Sequence, residues 1–362
     1  MYNKVGDIMK SAYIHIPFCK SICSYCDFCK FYYNEELVIK YIDALKKEIS
    51  TRYKDEVLDT IYIGGGTPSS LDIEKLEDLL RFINNTLKVS SDLEYTIECN
   101  INDLSKEKLE LFKKYNINRL SIGVESFNDK NLSFLERKQT KEEIISNIKL
   151  TKMYFDNINI DLIYAIPGET LDILKEDINL FLELDIPHIS CYSLIIEDHT
   201  KLGIKDTSYI DEDLDYEMYK LIEDTLEKNN YIHYEISNYS KPGYESKHNM
   251  CYWKNHKYYG FGLSSSGYID NIRYTNTKNI NKYLNGNYVS EKEIVTKELN
   301  ASNYAILGLR TINGVNKKEF KEVIGEDFNK YFDTSDLVED EEAFYIPKDK
   351  WYIENEILIK YI

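Results

Sequence analysis

The sequence predicts an α/β protein whose parallel strands form either a partial (β/α) barrel or an open doubly wound sheet. Apolar, β-branched runs alternate with amphipathic stretches through the first two thirds of the chain, the pattern of repeated strand-helix units. Six such units are present, fewer than the eight of a complete barrel. The chemically distinctive motifs fall directly after the apolar runs, and both architectures place their chemistry at the C-terminal ends of strands.

The six runs are SAYIHI, DTIYIGG, LEYTIEC, NRLSIGV, NINIDLIYAI and HISCYSLI, each rich in the β-branched and aromatic residues that suit a pleated surface. Helical periodicity between them covers residues 34–53, 71–87, 104–114, 140–155 and 170–184. Thr140 followed by Glu143 ahead of IISNIKL reads as a capping box. After residue 200 the alternation weakens. A helix at 212–229 precedes a stretch rich in Tyr, Asn and Gly, helical pattern resumes near 298, and FYIPKDKWYIENEILIKYI reads as a hairpin entering a terminal helix.

At roughly 150 residues per domain, 362 residues suggest about two domains. A chain this long buries about three quarters of its unfolded surface and needs no disulfide staples. Lys and Arg number 45 against 62 Asp and Glu, a formal charge of −17, which is the wrong sign for phosphate backbones or anionic lipid. Nucleic acid is therefore excluded as a default partner. No apolar run has the length of a membrane helix, and MYNKVGDIMKSAYIHIPFC lacks the apolar stretch of a signal peptide, so a cytoplasmic protein is expected, with Met9 as a second candidate start. Peripheral association with a membrane is left open. The 32 tyrosines invite a ring-stacking or tetrapyrrole-binding reading, but a bias toward Ile, Lys, Asn and Tyr throughout the chain explains them more simply.

Seven cysteines are an odd number, and four lie between Cys19 and Cys29, a poor disulfide framework that points instead to metal in a reducing compartment. Cys19, Cys23 and Cys26 follow the first strand with C-x3-C-x2-C spacing. Thiolates hold Fe–S clusters, normally four to a cubane, so three leave one iron open for a substrate or cofactor. Cys23, Cys26 and Cys29 also match part of a ferredoxin run, without its final cysteine and proline. A zinc site would ask for paired knuckles or histidines, and none are near. Cys29 is read as a non-ligand.

Later strands add candidates. GGGTPS after the second strand lets backbone approach a ligand. Glu98 and Asp161 sit on the third and fifth strands, where carboxylates suit an ammonium and ribose hydroxyls, and Arg137 is a candidate for a carboxylate.

The cysteine spacing, with aromatic Tyr25 before the third cysteine, resembles the signature of the radical S-adenosylmethionine (SAM) superfamily. More closely, YIHIPFC, GGGTPSSL, TIECN, RLSIGVESF, NIDLIYAIPGET, YSLIIEDHT, YEISNYSKPGYESKHNMCYW and LGLRTINGV are similar to the HemN/HemW family of oxygen-independent coproporphyrinogen III oxidases and heme chaperones.

That resemblance implies a partial (β/α)6 TIM-like barrel of radical SAM type over residues 1–205. It also implies a connecting region over 206–290 and a small α+β C-terminal domain, helical and winged-helix-like, over 291–362. It implies a [4Fe-4S] cluster on Cys19, Cys23 and Cys26 whose open iron chelates SAM, split by one electron to methionine and a 5′-deoxyadenosyl radical. The implied SAM contacts are Tyr13, Tyr25, Gly65, Gly66, Thr67, Glu98, Glu125, Arg137 and Asp161.

The chaperone branch is favoured on two counts. The chain begins close to the cysteine strand and holds Phe28 where the oxidases have a further cysteine. It also carries the HNxxYW element as His248, Asn249, Tyr252 and Trp253. The resemblance makes His248 a heme ligand, with imidazole a normal axial donor. Cys251 is a conceivable second ligand, but a buried thiol is the better reading. The implied partners are heme-acceptor proteins and a reductant such as flavodoxin or ferredoxin, with no residue assigned as catalytic. The alternative is coproporphyrinogen III dehydrogenase. Departures from the family pattern are Glu125 for Gln, AIPGET with Ala165 and Glu169 for GLPGQT, and GFGLSSSGY at 260–268 for GFGPGAHSY, where the stretch is expected to wall the pocket.

Overall fold

The computed structural model describes residues 9–362. The first eight residues of the segment read for a signal peptide lie outside them. The six expected strands form as β1 Ser11–Ile16, β2 Leu58–Gly65, β3 Val89–Asn100, β4 Arg119–Glu125, β5 Ile158–Tyr164 and β6 His188–Ser193. They lie side by side in chain order, every neighbouring pair parallel. A doubly wound sheet reverses its strand order at a switch point; this sheet never does between β1 and β6, so it is the partial barrel.

Helices α1 Glu35–Arg52, α2 Ile73–Thr86, α3 Lys106–Lys114, α4 Lys141–Lys152 and α5 Leu171–Glu183 connect the strands. Their starts follow local chemistry. Asn34, Ser105 and Thr170 each accept a backbone N–H as N-cap, and Thr140 and Glu143 form the full capping box. Strands covered on both faces read as continuous apolar runs, which is why Ala12, Ile14, Ile61, Ile63, Leu120, Ile122, Ile160 and Leu162 are all fully or almost fully buried.

Residues 206–290, expected as a connecting region, do more than connect. After α6 Glu212–Lys228, strands β7 Ile232–Glu235 and β8 Asn238–Ser240 extend the sheet antiparallel from β6. Following helix α7 Lys247–Trp253, strand β9 Tyr258–Phe261 adds a seventh parallel strand beside β1. Then β10 Ser266–Ile269, β11 Ile272–Asn276 and β12 Val289–Ile294 continue antiparallel, making twelve strands in the order β12-β11-β10-β9-β1-β2-β3-β4-β5-β6-β8-β7. These strands are short, and β9 meets a partner almost 250 residues away, so no local pattern announces it.

A separate apolar cluster of Ala301, Phe320, Phe328, Trp351 and Tyr361 forms the C-terminal core. It is tied to the sheet edge where Ile236 N–H donates to the Arg310 carbonyl at 3.2 Å. The terminal segment is a strand Ala343–Tyr345 followed by helical turns.

Candidate functional site

Immediately after β1, the pair Phe18–Cys19 binds in parallel to Phe31–Tyr32, so residues 20–30 form a loop stapled at its base. Tyr33 N–H donates to the Cys19 carbonyl at 2.9 Å. Ser24 N–H reaches the Leu135 carbonyl and Leu202 N–H reaches the Ser24 carbonyl, fixing the loop between two neighbours. Cys19, Cys23 and Cys26 all line one cavity of about 480 Å³ at the C-terminal end of the barrel. Thr67 Oγ1 donates to Cys19 Sγ at 3.5 Å, and Arg137 Nη1 donates to Cys23 Sγ at 3.5 Å. Burial pushes the Cys19 thiol up to about 11 and raises Cys26, so ligation has to supply their deprotonation. Among the described residues no three His, Cys, Asp or Glu side chains converge on a point that would hold a single metal ion.

The same cavity is lined by Tyr25, Gly65, Gly66, Thr67, Glu98, Glu125, Arg137 and Asp161. Gly65 adopts φ +116°. A Cβ there would sit 2.4 Å from the His15 ring, and one on Gly66 2.8 Å from the Phe18 nitrogen. The glycine turn is thus demanded by its packing on β1, and its N–H is already in use: Gly65 donates to Glu98 Oε2 at 2.8 Å. Tyr62 OH donates to Glu98 Oε1 at 2.9 Å.

Three carboxyl groups share this interior. Burial pushes Glu98 up to about 7, against the donors Gly65 and Tyr62, with Asp161 adding to the rise. Glu125 also rises to about 7 through burial, opposed by Arg137, whose Nη1 lies 3.9 Å from its Oε1. Asp161 is raised by burial and held by Asn159 Nδ2 at 2.9 Å. Arg137 stays charged: burial opposes it, and Tyr25, Glu125 and Cys23 outweigh burial. Three thiols on one stapled loop, an arginine in contact with one of them and a cavity within the roughly 300–1,000 Å³ range of ligand pockets fit a cluster with an organic cofactor beside it.

The structure does not bring Tyr13 or His248 to the cavity. Tyr13 stands behind it, its hydroxyl 3.0 Å from His15 Nδ1 and its ring against Tyr62. His248 is 1% exposed, with Nδ1 2.6 Å from Thr60 Oγ1 and Nε2 2.7 Å from Tyr252 OH, and burial drives its pKa down to about 3. Both nitrogens are engaged, so the imidazole is not offered to an iron in this conformation. It is Asn249, the next residue, that lines the cavity. Cys251 is fully buried and Cys29 is not among the lining residues. Sequence reading missed Tyr62, Arg119, Ser121, Asn159 and Ser190, which also line it. Strand alternation carries the signal: 119, 121, 123 and 125 share the inward face of β4.

Residues 13–181 match the radical SAM superfamily. The heme chaperone HemW of Lactococcus lactis is 38% identical over 97% of both chains, and that of Bacillus subtilis 39% identical over 96% of this chain and 98% of its own. The chain belongs to the HemN/HemW family of radical SAM proteins. The HemN coproporphyrinogen III oxidase of Escherichia coli, at 19% identity, superimposes over 99% of this chain and 91% of its own with a TM-score of 0.85, a likeness of fold.

Departures from the HemN/HemW pattern have local explanations. Ala165, in place of glycine, holds φ +61° at the end of β5. Glu169 is buried and accepts from Ile166 N–H at 3.1 Å and Asn131 Nδ2 at 3.0 Å. Residues 260–268, expected in the pocket wall, are not among the cavity's lining residues and pack on α1 instead. There Gly262 N–H donates to Glu48 Oε2 at 2.8 Å and Leu263 N–H to Tyr41 OH at 2.9 Å.

Proposed function

We propose that this chain is a heme-binding and heme-transfer protein of HemW type. In this reading Cys19, Cys23 and Cys26 hold a [4Fe-4S] cluster and the neighbouring side chains hold SAM. The observation that supports it best is the convergence of three thiols and Arg137 on one cavity in a chain similar over its whole length to proteins called heme chaperones. When bound, the cluster and SAM supply one-electron chemistry at an iron with an open coordination position.

The chain's own residues bind and orient. Arg137 offers its guanidinium to a carboxylate, a pairing favoured by fork geometry. Gly66 and Thr67 shape the wall beside Cys19, and Tyr25 fixes the loop before Cys26. Glu98 and Asp161 present carboxyls to hydroxyl and ammonium groups. For heme, the mouth offers an apolar rim. Phe28 is 68% exposed and Ile195 66%, and both line the cavity beside Tyr192. A macrocycle set edge-on among these side chains, its propionate edge turned into the barrel, covers surface otherwise left to water.

In this reading the chain works in the cytoplasm with a reductant such as flavodoxin or ferredoxin and hands heme to acceptor proteins. Among the described residues no helix is long and apolar enough to cross a membrane. The test is anaerobic: reconstituted, reduced protein is given SAM and coproporphyrinogen III in one arm, and heme followed by an apo-hemoprotein in the other. Heme uptake and transfer without protoporphyrinogen is expected. Robust formation of protoporphyrinogen would overturn the reading in favour of the dehydrogenase.

A further inference from the structure

The cavity holds two arginines, and they stand at different depths. Arg137 touches Cys23 at the mouth and donates to the Gly123 carbonyl. Arg119 opens β4, four residues before Gly123. At roughly 3.3 Å per residue its Cα lies about 13 Å further down the strand, toward the floor. Arg119 is 2% exposed and lines the cavity. Its side chain takes part in none of the ion pairs or hydrogen bonds found among the described residues, and its Nε is buried with no acceptor.

Its surroundings do not neutralise it. Glu98 and Asp161 feel its charge but lie beyond ion-pair distance, and both are pushed by burial toward their protonated forms. His188 and His248 are kept neutral by burial, with the Arg119 charge reinforcing the effect. A buried guanidinium with no carboxylate in ion-pair contact is disfavoured, so an anion arriving from outside gains a partner already stripped of water. A carboxylate matches its two-pronged geometry. Ser121, Asn159 and Ser190 put hydroxyl and amide groups on the same cavity wall.

We propose that Arg119 is the floor anchor of this cavity and binds the carboxylate of an organic ligand that enters the barrel past the cysteine loop. The heme of the function proposed above carries two such groups, its propionates, whereas the amino-acid end of SAM is committed to the cysteine loop and Arg137. The choice of heme as the ligand rests on that function.

The experiment uses the full-length, cluster-reconstituted protein and the variants Arg119→Gln and Arg119→Lys. SAM, heme and heme dimethyl ester are titrated in, and melting is followed with and without sodium acetate. Arg119→Gln is expected to weaken heme by at least about tenfold, as loss of one partner from a buried charged pair does, and to leave SAM affinity unchanged. Arg119→Lys should keep part of the affinity. The ester should bind wild type as weakly as heme binds Arg119→Gln. An ester that binds like heme, with only SAM weakened by the substitution, overturns the proposal. Without ligand, Arg119→Gln should melt above wild type, and acetate should raise the melting temperature of wild type alone.

Unchanged affinity for heme overturns the proposal, as does a ligand-free Arg119→Gln that melts below wild type with no effect of acetate on either. Should Arg119→Gln fail to fold, Arg119→Lys with the acid and ester forms of heme decides the question. Failure of wild type to bind heme at all would sink the heme-transfer function, and the acetate arm would still decide whether Arg119 takes a carboxylate.

Discussion

His248 and Tyr252 sit one turn apart on α7, with the imidazole Nε2 2.7 Å from the tyrosine hydroxyl. The spacing that marks the HNxxYW element in sequence is therefore the i, i+4 spacing of two side chains that bond each other on one helix face. Thr60 on β2 completes the arrangement from below, so the element clamps α7 onto the barrel.

His248→Ala removes a buried ring and leaves two hydroxyls without their partner. It is expected to lower stability by roughly 2–4 kcal/mol in urea denaturation while leaving heme affinity unchanged. A variant that kept its stability and lost heme binding would show that the imidazole swings out to ligate iron.

The cysteine loop makes a sharper demand. Cys19→Ala, Cys23→Ala and Cys26→Ala should each abolish the visible charge-transfer absorbance of anaerobically reconstituted protein, since a cluster with one open iron has no spare thiolate. Cys29→Ala and Cys251→Ala should retain it. Retention in all three of the first set would end the cluster assignment.

The cavity and the order of the strands were legible because they are local. Each β-branched run precedes its own motif, and chain-order pairing brings 19, 65, 98, 125 and 161 to one end without further information. Partners set by distant packing were not legible. Strand β9 joins β1 across the whole barrel, and the 260–268 stretch is held by Glu48 and Tyr41 on α1. Arg119 was overlooked although a charged residue opening an apolar strand is a visible anomaly. The burial of His248 was not legible because its motif marks the residue types and says nothing of which way the ring faces.

Ala165 occupies the left-handed region, which disfavours a Cβ by roughly 1–2 kcal/mol. Ala165→Gly relieves that strain at the end of β5 and is expected to stabilise the protein by about 1 kcal/mol in equilibrium denaturation, less whatever glycine loses in unfolded-state entropy. A destabilised variant would mean that the Ala165 methyl group makes contacts worth more than the strain.

At the cavity mouth, Glu125 competes for Arg137 from 3.9 Å. Glu125→Gln leaves the guanidinium with one fewer counter-charge and should tighten SAM several-fold in anaerobic calorimetry, on the order of 1 kcal/mol. Weaker SAM binding would instead make the Glu125 carboxylate a direct contact.

Glu169 gives a prediction in pH. Its carboxyl is buried and pushed up to about 8, by burial first and then by the nearby Asp177 charge. Unfolded, it releases its proton near 4.3. Between those values the folded chain holds a proton that the unfolded chain has lost, so stability falls as pH rises, by up to about 1.4 kcal/mol per pH unit, and levels off above the folded value. Glu169→Gln does not titrate. The melting temperature of the variant relative to wild type should therefore climb steadily from about pH 5 to about pH 8 and then stay constant. A difference that is flat across that window would show that the Glu169 carboxylate is ionised in the folded protein, stabilised by Ile166 N–H and Asn131 Nδ2 more strongly than burial opposes it.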